Sequence, residues 1–257
     1  MINLDMKYEN IAVITLNRPE AANALSKPFL QSLSEKLSQI QKNPSIHCAI
    51  ITGTGTKAFC AGADLKERKE MSEKQVVEAV QYIGETVTAI ENLRMPVIAA
   101  LNGTAVGGGL ELALACDLRI AASHVNLGLP ETSLAIIPGA GGTQRLARLI
   151  GLGQAKRLIY TAKPITAQEA LDIGLVEEIA DKEVLLQTAL TLARTIAKNG
   201  PIALKQAKIA INKGIETDMS TALTIEHLAY LETIPTLDRQ EGLQAFREKR
   251  TPSYQGK

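Results

Sequence analysis

The sequence predicts an α/β fold that ends in an all-helical region. Two patterns carry this expectation. Short runs rich in β-branched residues alternate with amphipathic helical stretches up to about residue 180. From about Leu185 onward the pattern is almost only helical. No linker rich in Pro or Gly, no low-complexity tract and no internal repeat divides the two parts. The helical part is therefore expected to pack on the core or on another subunit.

The elements follow in order. Ile11 to Leu16 is a short apolar run closed by Asn17-Arg18-Pro19 and reads as a strand. Ser26 stands at an N-cap position with Pro28 in the first turn of a helix to about Lys42. Phe29, Leu30, Leu33, Leu37 and Ile40 give that helix one apolar face. Ile46 to Thr52 is a second strand, closed by Gly53-Thr54-Gly55, and a loop follows through Asp64. Ser72 and Gln75 have capping-box spacing and open a long helix to about Leu93, which Met95-Pro96 breaks. Val97 to Leu101 is continuously apolar, as in a strand buried on both faces. A buried helix is expected over Leu110 to Cys116 and a strand over Leu118 to Ala121. Thr166 with Glu169 caps a short helix that Gly174 ends. Val176 to Ile179 reads as a strand, and Pro201 and Gly214 bound a later helix.

Composition excludes several function classes. Lys plus Arg is 28 and Asp plus Glu is 27 among 257 residues, a net charge of +1. Such a chain lacks the positive field that nucleic-acid binding needs. With no Trp, five Tyr and three Phe, little is available for stacking on bases. The core must be packed by Ile, Leu, Val and Ala. Three scattered His make a metal site of that type unlike this chain. No apolar run approaches the ~18 residues of a membrane span. The N-terminus has neither signal- nor transit-peptide character, and Cys48, Cys60 and Cys116 lack any C-x-x-C pattern. A cytoplasmic protein with reduced, buried thiols is expected.

The glycine clusters are not nucleotide motifs. Gly107-Gly108-Gly109-Leu110-Glu111-Leu112 has Leu where G-x-G-x-x-G needs its third Gly, and Gly139-Ala140-Gly141-Gly142-Thr143-Gln144 has Gln there. No P-loop, G-x-S-x-G or H-E-x-x-H pattern occurs. Two readings remain for these glycines. They serve tight helix–strand packing, or they leave backbone N–H groups uncovered at a helix start. Together with the loop Ala61-Gly62-Ala63-Asp64, the second arrangement supplies two donors to one anionic oxygen, an oxyanion hole.

Two carboxylates stand out. Glu111 lies in the apolar stretch Leu110 to Cys116, where a charge is costly unless paired or functional. Glu131 follows Pro130 and precedes the apolar run Leu134 to Ile137. It is either a dipole-compensating residue at a helix start or the second member of an acid–base pair. His47, His124 and His227 have no partners of metal type, so no metal site is expected. Asp117 is placed to pair with Arg119 or cap a turn.

These segments, in this order, resemble the crotonase, or enoyl-CoA hydratase/isomerase, superfamily. The resemblance runs from Asn17-Arg18-Pro19 to Glu248-Lys249-Arg250. It is most specific at Phe59 to Glu67, Gly107 to Ala113, Gly128-Leu129-Pro130-Glu131 and Ile137 to Arg145. It implies a spiral of β-β-α units over residues 1–190 that carries the acyl-CoA site. Residues 191–257 would form a helical region that builds homotrimers, commonly paired into hexamers. It implies hydration of a 2-enoyl-CoA thioester, with the N–H groups of Ala63 and Gly108 as oxyanion hole and Glu111 and Glu131 as catalytic carboxyls. The N–H of Gly139 would help hold the reacting water near the second Glu. Ala61, Asp64, Leu65 and Lys66 would line the coenzyme A adenine pocket. Phe246 and Lys249 would close the acyl pocket and reach the nucleotide phosphate, often from a neighbouring subunit. Lys57, Lys66 and Lys249 are then the few local cations such a ligand needs, and the basic tail becomes a ligand contact rather than a frayed end. No cofactor is implied beyond the coenzyme A of the substrate, and no membrane or nucleic acid.

Having both Glu favours hydratase over isomerase. Within the family the segments at Ala61–Arg68 and Leu112–Asp117 look closest to the branch that includes methylglutaconyl-CoA hydratase of leucine breakdown. Two non-enzymatic alternatives are an RNA-binding protein and an acyl-CoA-binding module on the same scaffold. Against the first, Lys27, Lys36 and Lys42 do not share one helix face. Against the second stands the retained Glu pair.

Overall fold

The structure is a computed structural model that describes residues 1–257. In chain order it comprises β1 (Ile2–Tyr8), β2 (Ile11–Leu16), α1 (Lys27–Lys42), β3 (Cys48–Gly53), β4 (Ala58–Cys60), α2 (Leu65–Lys69) and α3 (Glu73–Glu91). Then come β5 (Val97–Leu101), β6 (Thr104–Val106), α4 (Gly108–Leu114), β7 (Leu118–Ala122), β8 (Asn126–Gly128), α5 (Gly142–Ile150) and α6 (Leu152–Thr161). The last elements are β9 (Ile165–Thr166), α7 (Ala167–Asp172), β10 (Glu178–Ala180), α8 (Leu185–Ala197), α9 (Pro201–Gly214), α10 (Met219–Leu231) and α11 (Leu237–Glu248).

Two sheets result. The larger has the order β1-β2-β3-β5-β7-β10, and only its β1–β2 pair is antiparallel. The smaller has the order β4-β6-β8-β9, parallel except for β8–β9. Each turn of the chain gives one strand to each sheet and then a helix: β3-β4-α2, β5-β6-α4, β7-β8-α5. That is a spiral of β-β-α units. Strands β3 and β5 are buried along their length, which their uninterrupted apolar runs require. Helix α1 buries Phe29, Leu30, Leu33, Leu37 and Ile40, the face its periodicity predicts. Both capping boxes form, at Ser72/Gln75 and Thr166/Glu169, whereas Ser26 occupies an N-cap position without a side-chain bond. No helix is long and apolar enough to cross a membrane.

The structure differs from the sequence reading in several places. Strand β1 is unassigned there, although Ile2, Leu4, Met6 and Tyr8 alternate with Asn3, Asp5 and Lys7 at the strand period. Strands β4, β6 and β8 have three residues each, too few to show a period. Helices α5 and α6 also go unassigned, since Gly151 divides them into short pieces. Asp117 does not pair with Arg119. It accepts the N–H of Val97 and the Nζ of Lys208 from α9, while Arg119 pairs with Glu177 at 2.6 Å. Lys208 thereby ties α9 to the end of the large sheet. The border expected at residue 190 falls inside α8, which buries Leu185, Ala189, Leu190, Ala193 and Ala197 against that sheet.

The turns of the spiral are stacked at backbone distance. A Cβ on Gly109 would overlap the carbonyl oxygen of Cys60 in β4. Gly109→Ala is therefore expected to destabilise the protein by ~1–3 kcal/mol or more through overpacking. Urea denaturation checks this, and a midpoint equal to wild type would show that the two segments can move apart.

Candidate active site

The loop after β4 and the first turn of α4 meet at their backbones. Gly62 has φ +83°, and a Cβ there would lie 2.9 Å from the Gly108 nitrogen. A Cβ on Gly108 would lie 3.7 Å from the Ala63 nitrogen. Leu25 bridges to this loop: its N–H donates to Gly62 O at 2.8 Å, and its carbonyl accepts the N–H of Asp64 at 3.3 Å. Both bonds flank Ala63, so the Ala63 N–H faces the other way. Neither the Ala63 nor the Gly108 N–H has an acceptor within the protein. Two unspent donors thus sit side by side, one of them at a helix N-terminus.

Glu111 lies one turn into α4 and is only 3% exposed. Its Oε1 accepts the N–H of Ala140 at 2.7 Å and that of Gly142 at 2.8 Å. Burial pushes its carboxyl above the ordinary range, and the two N–H donors and the charges of Arg145 and Arg68 oppose that push. Glu131 stands in a short 3-10 turn after Pro130, not in an α-helix. Its Oε2 is buried and has no hydrogen-bond partner. Its Oε1 lies 3.1 Å from the position of a Cβ on Gly107, whose carbonyl accepts the Glu111 N–H. Burial, reinforced by the negative charge of Glu111, pushes the Glu131 carboxyl up to about 7, against its own backbone N–H and the charge of Arg68. Two carboxyls in one pocket are therefore held differently. Two donors from a neighbouring loop favour the ionised form of Glu111, whereas Glu131 has only its own backbone N–H and one bare oxygen.

A support layer fixes the loop that grips Glu111. Arg145 donates to Ala140 O at 2.9 Å and pairs with Glu91 of α3 at 2.6 Å. Gly139 precedes Ala140, is exposed, and keeps its N–H free of protein acceptors. A Cβ on Gly139 would strike Val80 of α3. The segment that carries Gly139 is thus tied to Glu111 through its neighbour Ala140.

The remaining sequence candidates are spread more widely. Ala61, Leu65, Lys66 and Lys57 are exposed at or near the mouth of the loop. Asp64 is buried and already engaged. It caps α2 through Lys66 N and Glu67 N and pairs with Arg18 at 2.7 Å. Burial raises its carboxyl, but Arg18 and those N–H groups outweigh it, and the net shift is downward. Its carboxylate positions the loop and is not open to a ligand. Phe246 is 84% exposed on α11, and Lys249 ends that helix in left-handed conformation. Helix α11 makes its polar contacts to the tail, which is folded rather than frayed: Glu241 pairs with Arg250, and Asp238 accepts the N–H groups of Gln255 and Gly256. Ala140, Gly142, Arg145 and Arg18 escape the sequence reading as individual residues. Only the position of Arg145 at the end of the Gly-rich segment hints at its part. No group of three or more His, Cys, Asp or Glu is arranged to hold a metal ion.

Comparison with known proteins places the arrangement. The sequence profile described as Enoyl-CoA hydratase/isomerase matches residues 6–257. The Bacillus subtilis protein YngF is 60% identical over 251 residues, 98% of this chain and 96% of YngF. Human mitochondrial methylglutaconyl-CoA hydratase is 46% identical over 258 residues, 99% of this chain and 76% of that protein. The crystal structure of an enoyl-CoA hydratase from Bacillus anthracis superposes with a TM-score of 0.98 at 54% identity, covering 100% of this chain and 99% of the other.

The raised carboxyl of Glu131 has a consequence for stability. The folded state holds that proton up to about 7, whereas the ordinary value is 4.5. Between these values the folded state binds more protons than the unfolded chain, so stability falls as pH rises across the window. Glu131→Gln is expected to reduce this fall, leaving the part that the raised carboxyl of Glu111 contributes. Urea midpoints of both proteins at about pH 5 and about pH 8 check the sign. An identical pH difference in the two proteins would place the titration elsewhere.

Proposed function

This chain belongs to the enoyl-CoA hydratase/isomerase family, and we propose that it catalyses the reversible addition of water across the 2,3 double bond of a 2-enoyl-CoA thioester. The observation that carries the reading is the pair of unequal carboxyls beside two unspent backbone donors. The thioester oxygen accepts the N–H groups of Ala63 and Gly108. As water attacks C3, negative charge moves onto that oxygen as an enolate, where each fixed donor is worth ~2.7–4 kcal/mol of barrier. Glu111, ionised, takes a proton from the attacking water. Glu131, protonated near neutrality, supplies one to C2. The sum is one water added, and exchange with solvent resets the pair. Gly139 offers its free N–H to the water beside Glu111. The reaction is redox-neutral, so the substrate's own coenzyme A is the sole carrier it requires.

The same reading covers the periphery. Lys57 and the exposed face of α2, with Ala61, Leu65 and Lys66, serve the nucleotide end of coenzyme A. Phe246 and Lys249 serve a neighbouring subunit's site in a homotrimer or a dimer of trimers. Exposed apolar residues spread over α10 and α11, among them Met219, Leu228, Tyr230, Leu237 and Phe246, support such an assembly. Three free, buried thiols are in keeping with the reducing cytoplasm.

Two outcomes are expected. Glu131→Gln and Glu111→Gln each lower kcat with crotonyl-CoA at least ~100-fold while thioester binding persists. Loss of the enoyl absorbance measures the first and calorimetry the second; a variant with wild-type kcat removes that Glu from the mechanism. Sedimentation equilibrium is expected to give a mass that is a multiple of three chains, and a monomer at micromolar concentration refutes the assembly.

A further inference from the structure

The turn that grips Glu111 is itself held from three sides. Gly142 faces Glu111, whose Oε1 lies 2.9 Å from the position of a Cβ there. Gly139 faces Val80 of α3. Gly141 has φ +97°, and a Cβ on it would overlap the Arg145 guanidinium. The guanidinium can lie against the turn only because glycine stands at 141.

All three nitrogens of that guanidinium are engaged. Nη1 donates to Ala140 O at 2.9 Å. Nε and Nη2 donate to the two oxygens of Glu91 at 3.3 and 2.6 Å, and Nη2 also reaches the Thr88 hydroxyl at 3.5 Å. Thr88 and Glu91 belong to α3, so the fork ties the start of α5 to that helix. A two-pronged pair of this kind fixes direction as well as charge. A cation near the N-terminus of α5 stands against the helix dipole, and the carboxylate of Glu91 offsets it. Both side chains line a cavity of about 890 Å³ that neither Glu111 nor Glu131 lines. The pair thus stands outside the pocket of the two carboxyls. It reaches that pocket through Ala140, whose carbonyl accepts from Arg145 and whose N–H donates to Glu111 at 2.7 Å.

The charges that face Glu111 are few. Arg145 comes from α5, Glu91 behind it from α3, Arg68 from α2, and Glu131 from the 3-10 turn. Strand β4 brings Cys60, a thiol that burial pushes up to about 12 and so keeps neutral, and β6 brings no titratable group. Burial raises the Glu111 carboxyl, and against it stand the N–H groups of Gly142 and Ala140, then Arg145, then Arg68. Arg145 therefore acts twice, by its own charge and through the turn it holds.

We propose that Arg145 and Glu91 are positioning residues for hydration: together they seat the 139–142 turn on Glu111 and balance the charge beside it, so that Glu111 serves as the base. The proposal rests on the hydratase reading and extends it to residues outside the pocket.

The pH profile of kcat with crotonyl-CoA tests this, because kcat rises on the acid limb as Glu111 ionises. Arg145→Met removes the cation and frees the turn. Its kcat at neutral pH is expected to fall ~10- to 100-fold with KM nearly unchanged, the cost of a displaced catalytic group, and its acid limb moves to higher pH. Arg145→Lys keeps the charge but not the fork, so its limb stays closer to wild type. Glu91→Gln keeps an oxygen for Arg145 and leaves the cation uncompensated, so its limb moves to lower pH. A second readout needs no turnover. In a Glu131→Gln background, the fall of the urea midpoint with rising pH reports Glu111, and Arg145→Met is expected to enlarge it. Wild-type kcat in Arg145→Met overturns the proposal. So do acid limbs of Arg145→Met and Glu91→Gln that move the same way, or a loss of kcat with no moved limb, which would leave the pair a structural tie only. A wild-type protein that does not hydrate crotonyl-CoA sinks the hydratase reading instead, and the urea midpoints then decide whether the pair governs Glu111.

Discussion

The site depends on two segments of backbone meeting with no side chain between them. The loop after β4 and the start of α4 belong to successive turns of the spiral, and the parallel pairing of β4 with β6 brings them together. At the meeting point Gly62 faces the Gly108 nitrogen, and Gly109 faces Cys60. Any Cβ there would drive the segments apart and separate the Ala63 and Gly108 donors. Gly62 adds a second requirement, a φ of +83° that side chains other than glycine's adopt at a cost. The glycines thus allow close packing and leave two backbone donors side by side through one geometry.

The two carboxyls show how neighbouring groups that burial pushes the same way are held differently. Desolvation raises both Glu111 and Glu131. The difference lies in what else reaches them. Glu111 sits under a loop whose Ala140 and Gly142 N–H groups converge on one oxygen, and Arg145 clamps that loop from behind to Glu91. Glu131 stands in a short turn with one oxygen buried and bare. Hydrogen-bond donors from a neighbouring loop therefore oppose the rise of Glu111 more than that of Glu131.

How far the sequence reveals this follows from the range of each interaction. Periodicity and capping are local, so α1, α3, α7 and β5 are legible with little error. Glu111 is legible because a charge inside Leu110 to Cys116 violates a local expectation. Glu131 is ambiguous, because its place after Pro130 suits a dipole-compensating residue as well as an acid–base partner of Glu111. Three-residue strands carry no period, so the small sheet that builds the site is the least legible part of the fold. Ion pairs between distant segments leave no local trace. Asp117 lies two residues from Arg119 in sequence and yet binds Lys208, which comes from a helix 91 residues on.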